Sequence, residues 1–385
     1  MKRRNSGICN LKAFLLLCVV MGHALERDIG YDSAAAVLYR LLYLFHMPLF
    51  AFLSGLGARD GRTCFRQARQ AGRQYVWAQG LVLLVSLLIR PDSFSAYLIR
   101  PYWHLWYLAS LAAWQLLAGC VYLAMAHTGA GTAAHIKGWL LLPAVAAGLA
   151  AGCIPAIGRA FSLSRTLVFF PFFLAGAFWG ERMMNWISRA FWLFLPALAM
   201  VAGGFFYTAK LPVAFLYQAE GYSSFGLDGL SGIGARSVCY ITAAACSLPV
   251  LILCPKRKCA WTQWGGNTLM PYLLHPVFIG CLAFIPYAPR YAVPVSFVLA
   301  LTALFCIYMC FKWRDRLFLY INAEVTYSGD SRGAAAGELP CRITGCPGTA
   351  ADPCSGGQFF LFLPDEQIKN SAQKVPAQPG ILEKI

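Results

Sequence analysis

The chain has 385 residues, of which 59% are hydrophobic and only 12% are charged. A soluble domain carries about 25% charged residues, so this composition excludes an ordinary globular enzyme and points to an integral membrane protein. The net charge of +16 would suggest nucleic-acid binding in a soluble chain. Here most of the Lys and Arg flank apolar runs, where they set topology, and no nucleic-acid partner is expected.

About ten apolar runs approach the length a bilayer requires, over approximately 11–25, 36–58, 75–90, 105–126, 138–154, 167–183, 190–207, 237–254, 267–285 and 292–312. The expected fold is therefore an all-α integral membrane protein, a bundle of about ten transmembrane helices. The first run, Leu11–Leu25, is apolar except for Lys12 and His23. At about 100° per residue the eleven steps from one to the other close to within about 20° of three turns, so both point from one helix face, roughly 16 Å apart along the axis. Ionisable groups in an apolar helix are costly and mark function. An imidazole can take a proton from a hydroxyl near neutral pH, which makes His23 the leading candidate base. Glu26 follows at i+3, either to orient that ring or as an ordinary interfacial carboxylate. Gly22, His23 and Glu26 replace the small-residue cleavage site of a signal peptide, so the segment reads as retained.

In the second run, Tyr39, Tyr43 and His46 share a face by i, i+4, i+7 spacing. Pro48 would leave the Leu44 carbonyl without its helical donor. Arg40 falls in the outer third, where it either snorkels or finds a partner. Five arginines, Arg59, Arg62, Arg66, Arg69 and Arg73, fill the next connection. They suit either the positive-inside rule or the phosphates of a cytosolic cofactor. Before and into the fourth run comes Trp103-His104-Leu105-Trp106-Tyr107-Leu108, where His104 and Trp106 form an aromatic belt or line a sugar site. Arg165 stands at the outer edge of the sixth run. The connection at about 208–236 carries Gly221, Gly226, Gly229, Gly232 and Gly234 and reads as a loop or re-entrant lid. Before the ninth run, Asn267 suits a helix N-cap. His275 lies mid-membrane, where a polar group needs a partner or a cavity. His127 and His135 read as solvated loop residues.

The basic clusters at Lys2–Arg4, Arg59–Arg73, Lys256–Lys258 and Lys312–Arg316 all fall on one side if there are ten spans. That side is cytoplasmic and holds roughly twice the Lys and Arg of the other, so both termini are expected inside. Residues 1–320 form one membrane domain. Residues 321–385 form a cytoplasmic tail, which from 328 is rich in Gly, Ala, Pro, Ser and Gln and reads as mostly disordered. The fifteen cysteines are scattered without zinc-ligand spacing, so no metal is expected.

In this order the motifs resemble acyltransferase family 3, a family of membrane acyltransferases, in its polysaccharide and fucose O-acetyltransferase branch. The family's Lys/Arg, ten residues, His pattern is Lys12 and His23. Its Pro-Leu-Phe-x-x-x-Ser-Gly stretch is Pro48 through Gly55, preceded by His46. The His-Leu-Trp-Tyr-Leu block is His104–Leu108, the Arg-Thr…Phe-Phe-Pro-Phe-Phe-Leu-x-Gly stretch is Arg165–Gly176, and the Gly-x-Asn-Thr-Leu…His-Pro stretch is Gly265–Pro276. The resemblance covers about 10–320 of the chain. It implies transfer of an acyl group, here acetyl, from cytosolic acetyl-CoA or another acyl-CoA to a hydroxyl of an extracytoplasmic or lipid-linked glycan. Lys12 would hold the donor, and His23 with Glu26 would be catalytic. Arg40, His46, His104, Trp106, Arg165, Asn267 and His275 would line the acceptor or the cavity. The expected surroundings are the lipid bilayer of the plasma membrane and a glycan or lipid-linked sugar acceptor. The competing class is a multi-span transporter or export protein for an envelope glycan or small solute.

Overall fold

The computed structural model describes residues 5–89, 91–282, 286–310 and 312. The tail assigned from 321 lies outside the described residues. Among them the chain is helical, with no strand. The long helices are α1 (Ser6–Leu25), α2 (Ser33–Gly55), α3 (Gly61–Ile89), α5 (Trp106–Met125), α6 (Ala130–Ala150), α7 (Leu163–Ile187), α8 (Phe194–Ala209) and α9 (Gly229–Leu253). Shorter pieces are α4 (Pro91–Ile99), α10 (Thr262–Gly266) and α11 (Leu269–Leu282). A last helix, α12, covers 292–310.

Each of the ten expected spans coincides with a helix, but only eight segments of the described chain are both long and apolar enough to cross a membrane. The other two fall short for identifiable reasons. The first half of α3 carries four arginines, so its apolar part is brief. The ninth run is broken at Asn267, whose backbone (φ −138°, ψ 84°) ends α10, and α11 has fourteen residues among those described. The N-cap expected at Asn267 is therefore displaced. Thr268 holds that place, its carbonyl accepting from the Tyr272 N–H at 3.0 Å.

Side-chain caps start several helices. Asn5 accepts from the Gly7 and Ile8 amides, Asp32 from Ala34 and Ala35, and Asp228 from Ser231. At the head of α3, Asp60 accepts both the amide and the hydroxyl of Thr63, each at 2.8 Å. These bonds hold its carboxyl below the usual range.

α1 and α2 form the centre, with the most buried side chains, and α9 and α7 flank α2. Small residues allow backbone-to-backbone crossings where aliphatic packing would hold helices further apart. A Cβ on Gly176 of α7 would overlap the Phe52 carbonyl of α2, and one on Gly55 would overlap the Phe173 carbonyl. Gly265 meets the Cys9 carbonyl of α1 in the same way.

The glycine-rich connection is shorter and more ordered than its composition suggests. α9 begins at Gly229, so Gly232 and Gly234 are helical, and only Gly226 of the group has a positive φ (69°). Gly232 is required by packing, since a Cβ there would overlap the Tyr222 ring. Residues 213–217 and 222–225 form 3-10 turns that bury Phe215, Leu216 and Tyr222. This segment is tied down at both ends. Ser164 donates to the Gln218 carbonyl at 2.8 Å, and the Tyr222 hydroxyl donates to the Leu149 carbonyl at 2.6 Å. Arg236, 1% exposed, donates to the Gly148 carbonyl at 3.0 Å and lies over the Tyr222 ring. Together Tyr222 and Arg236 satisfy carbonyls at the C-terminal end of α6. The segment is a fixed wall of the bundle.

Candidate active site

His23 sits in the last turn of α1, where it meets two segments remote in sequence. Its ring packs edge-on against Trp103 (centroids 4.3 Å) and stacks on His275 of α11 (5.2 Å). His104 lies 5.4 Å from His275 and 6.0 Å from Trp103. Three of the four membrane histidines thus form one aromatic cluster, drawn from α1, the turn before α5 and α11. His275 is fully buried and His104 is 7% exposed, while the side chain of His23 keeps 13%.

The turn carrying Trp103 and His104 is a 3-10 element, Trp103–Leu105. Gln79 of α3 latches it. Its amide nitrogen donates to the carbonyls of Tyr97 (2.7 Å) and Arg100 (3.3 Å), and its amide oxygen accepts the Tyr102 N–H at 2.9 Å. From the other side the Tyr272 hydroxyl donates to the His104 carbonyl. The turn is therefore positioned by α3 and α11 together.

The hydrogen bonding of the three imidazoles leaves their chemistry open. His275 Nδ1 lies 3.2 Å from the Pro271 carbonyl, which assigns the proton to Nδ1 and leaves Nε2 as an acceptor. That Nε2 has no hydrogen-bond partner among the described residues, and neither does either nitrogen of His104 or Nδ1 of His23. Buried polar atoms are normally satisfied, so a cluster with this many open nitrogens suits a polar ligand. Glu26 Oε2 is 3.5 Å from His23 Nδ1, too long for a good hydrogen bond but close enough to pair with an imidazolium.

Other candidates stand around this cluster or apart from it. His46 is separate. It packs edge-on against Tyr43 (5.0 Å), and its Nδ1 donates to the Leu42 carbonyl at 2.5 Å. Tyr43 stacks on Tyr39 (4.1 Å), as their spacing implies. Tyr217 of the 213–217 turn joins them, its ring 5.4 Å from Tyr43 and its hydroxyl 2.9 Å from that of Tyr39. Burial pushes the Tyr217 phenol up to about 12, so it stays neutral. Arg165 lies over Trp106 (4.9 Å) and donates from Nε to the Tyr217 carbonyl at 3.0 Å. It makes no ion pair among the described residues.

Arg40 is used elsewhere. It donates to the carbonyls of Thr208 (3.1 Å) and Leu211 (2.9 Å), closing the C-terminal end of α8. Arg40→Ala should therefore lower stability by about 2 kcal/mol, the worth of charged hydrogen bonds, without altering turnover per folded molecule. Thermal unfolding and activity measured on the same preparation check this. Lost turnover at unchanged stability would return Arg40 to the reaction.

Asn267 lines a different space, a cavity of about 230 Å³ between α1, α10, α11 and α12. Ala13, Leu16, Trp264, Pro271, Tyr308 and Lys312 also line it. Lys12 precedes Ala13, so this is the Lys12 end of the α1 stripe. The buried indole N–H of Trp264 has no partner among the described residues. The two sites are close along the helices. Leu16 is seven residues, roughly 10 Å, below His23, and Pro271 is one turn from His275.

Trp103, Gln79, Tyr217 and Tyr272 were not singled out as site residues from sequence. Trp103 had a signal, as the neighbour of His104. The others become visible only once the chain is folded.

A family model described as an acyltransferase domain, that of acyltransferase family 3, matches residues 5–313. No curated protein and no solved structure matches the chain. The matched span contains the histidine cluster, the cavity and every described helix, and the chain belongs to this family of membrane acyltransferases.

Proposed function

We propose that the chain is an O-acyltransferase that moves an acetyl group from cytosolic acetyl-CoA to a hydroxyl of an extracytoplasmic or lipid-linked glycan. The observation that carries this reading is the cluster of His23, His104 and His275 with open ring nitrogens, on the same helices, α1 and α11, that line the cavity at the Lys12 end. Lys12 and Lys312 supply positive charge for donor phosphates, and Asn267 and the Trp264 N–H supply polar contacts for the amide-bearing arm. A path of roughly 10 Å then brings the thioester to His23.

His23 takes the acceptor hydroxyl's proton, and the oxygen attacks the thioester carbonyl. The tetrahedral oxyanion forms beside His104 and Arg165, which can donate to it. Collapse breaks the carbon–sulfur bond, and the imidazolium returns its proton to the departing thiolate. Ester and free CoA thiol form in equal amounts. Glu26 stabilises the transient imidazolium.

The test supplies purified protein with labelled acetyl-CoA and a glycan-lipid extract. Label should appear in an alkali-labile ester, with one thiol released per ester. Thiol release without acceptor labelling, or solute flux independent of CoA, would overturn the assignment. Leu16→Trp fills the cavity and should raise the donor KM more than tenfold, while leaving the acceptor KM unchanged.

A further inference from the structure

We infer that α3 carries a binding face for anionic phospholipid, built from Arg62, Arg66, Arg69 and Arg73. These four side chains are all exposed and recur at i, i+4, i+7 and i+11, which places them within about 60° of one another on one stripe roughly 16 Å long. The positive-inside rule accounts for their number but not for their alignment. None of the four guanidinium groups makes an ion pair among the described residues. Asp60, at the head of the helix, is engaged by Thr63.

The same stripe continues with a change of chemistry. Val76, Trp77, Leu84, Leu87 and Leu88 follow on the same side of the helix, within about 120°, and are all strongly exposed, Trp77 at 70%. The face thus passes from cationic to apolar within one turn, with an indole at the border, where interfacial aromatics sit. The apolar part from Val76 to Leu88 is roughly 18 Å long, close to the ~15 Å hydrocarbon depth of one leaflet. A soluble polyanion matches only the first half of this surface. A phospholipid matches both, with its phosphate on the guanidinium fork and its chains along the aliphatic half.

α3 lies along α5 with Phe65 against Gly119 and Gly72 against Ala112. The arginines are thus level with an apolar spanning helix whose Leu116, Leu117 and Leu123 are exposed. Cations at that depth require counter-charge, and headgroups drawn inward beside α3 provide it.

The test compares the full chain in nanodiscs of phosphatidylcholine alone and of phosphatidylcholine mixed with phosphatidylglycerol, with retained lipid measured by native mass spectrometry. Phosphatidylglycerol should be retained preferentially. Arg66→Gln/Arg69→Gln/Arg73→Gln should weaken retention by about fivefold per arginine, on the order of a hundredfold in all. The triple Lys variant preserves charge and topology and should retain lipid at an intermediate level. Arg182→Gln/Arg189→Gln removes exposed charge from the end of α7 and should have little effect. Equal retention by wild type and the Gln variant overturns the proposal, as does an equal loss in the α7 control. It is likewise overturned if soluble polyphosphate binds the stripe where phosphatidylglycerol does not, or if lipid binds only after residues 313–385 are removed.

Discussion

Replacing His23 by alanine should reduce acetyl transfer by a factor of about 10²–10⁴, the range attributed to a positioned general base. His23 is the member of the cluster that keeps some exposure, so an acceptor can reach it, and it touches both Trp103 and His275. Loss of the ring also removes packing, so His23→Gln, which preserves much of the volume, separates the two effects. It should unfold at nearly the wild-type temperature and still lack transfer. Added imidazole should restore part of the activity of His23→Ala, because a base is what the variant lacks. Glu26→Gln should show a smaller loss, expressed in kcat, because Glu26 acts through the ring. If His23 instead carries the acetyl group, label should accumulate on wild-type protein when acceptor is omitted and be absent from His23→Gln. Undiminished transfer by both His23 variants would exclude either role.

The part of this site that was legible in the sequence is the part written along single helices. The Lys12–His23 stripe and the Tyr39–Tyr43–His46 face follow from helical periodicity alone, and the structure stacks the two tyrosines as that periodicity requires. The meeting of His23, His104 and His275 was not legible. It depends on how α1, the 103–105 turn and α11 pack, and on the latch provided by Gln79. A lone glutamine in an apolar run gives no sign of which carbonyls it will satisfy. Composition misled in the 208–236 connection, because a glycine marks a loop and a tight packing contact equally well. Gly232 is of the second kind, and its cause, Tyr222, lies ten residues away in another turn. Arg40 shows the same limit. Its place in the outer third left it to snorkel or to find a partner, and the partners in the fold are the last carbonyls of α8.

Gly176→Ala should have an effect on stability as large as that of His23→Ala on rate. Its Cβ would overlap the carbonyl of Phe52, and the neighbouring Phe52 backbone atoms leave no side-chain rotation to relieve the clash. Relief requires α2 and α7 to separate. Separation would also disturb the reciprocal contact of Gly55 with Phe173 and the 2.7 Å hydrogen bond between Ser54 and Tyr107, which ties α2 to α5. Overpacking at a yielding site costs about 1–3 kcal/mol, and here both partners are backbone, so at least the upper end applies. A membrane bundle has little hydrophobic drive to re-close such a gap, because lipid chains solvate the exposed faces as well as another helix does. We expect Gly176→Ala to lower the thermal midpoint sharply or to prevent recovery of folded protein from detergent. Gly203→Ala in α8 is the matched comparison. Nothing lies within 4 Å of its added methyl group, and alanine favours helix by up to about 1 kcal/mol, so this variant should be neutral or more stable. The two variants differ only in what the methyl group meets. Equal midpoints for the pair would mean that α2 and α7 do not cross backbone to backbone, and the placement of His46 and Arg165 on those helices would have to be revised with them.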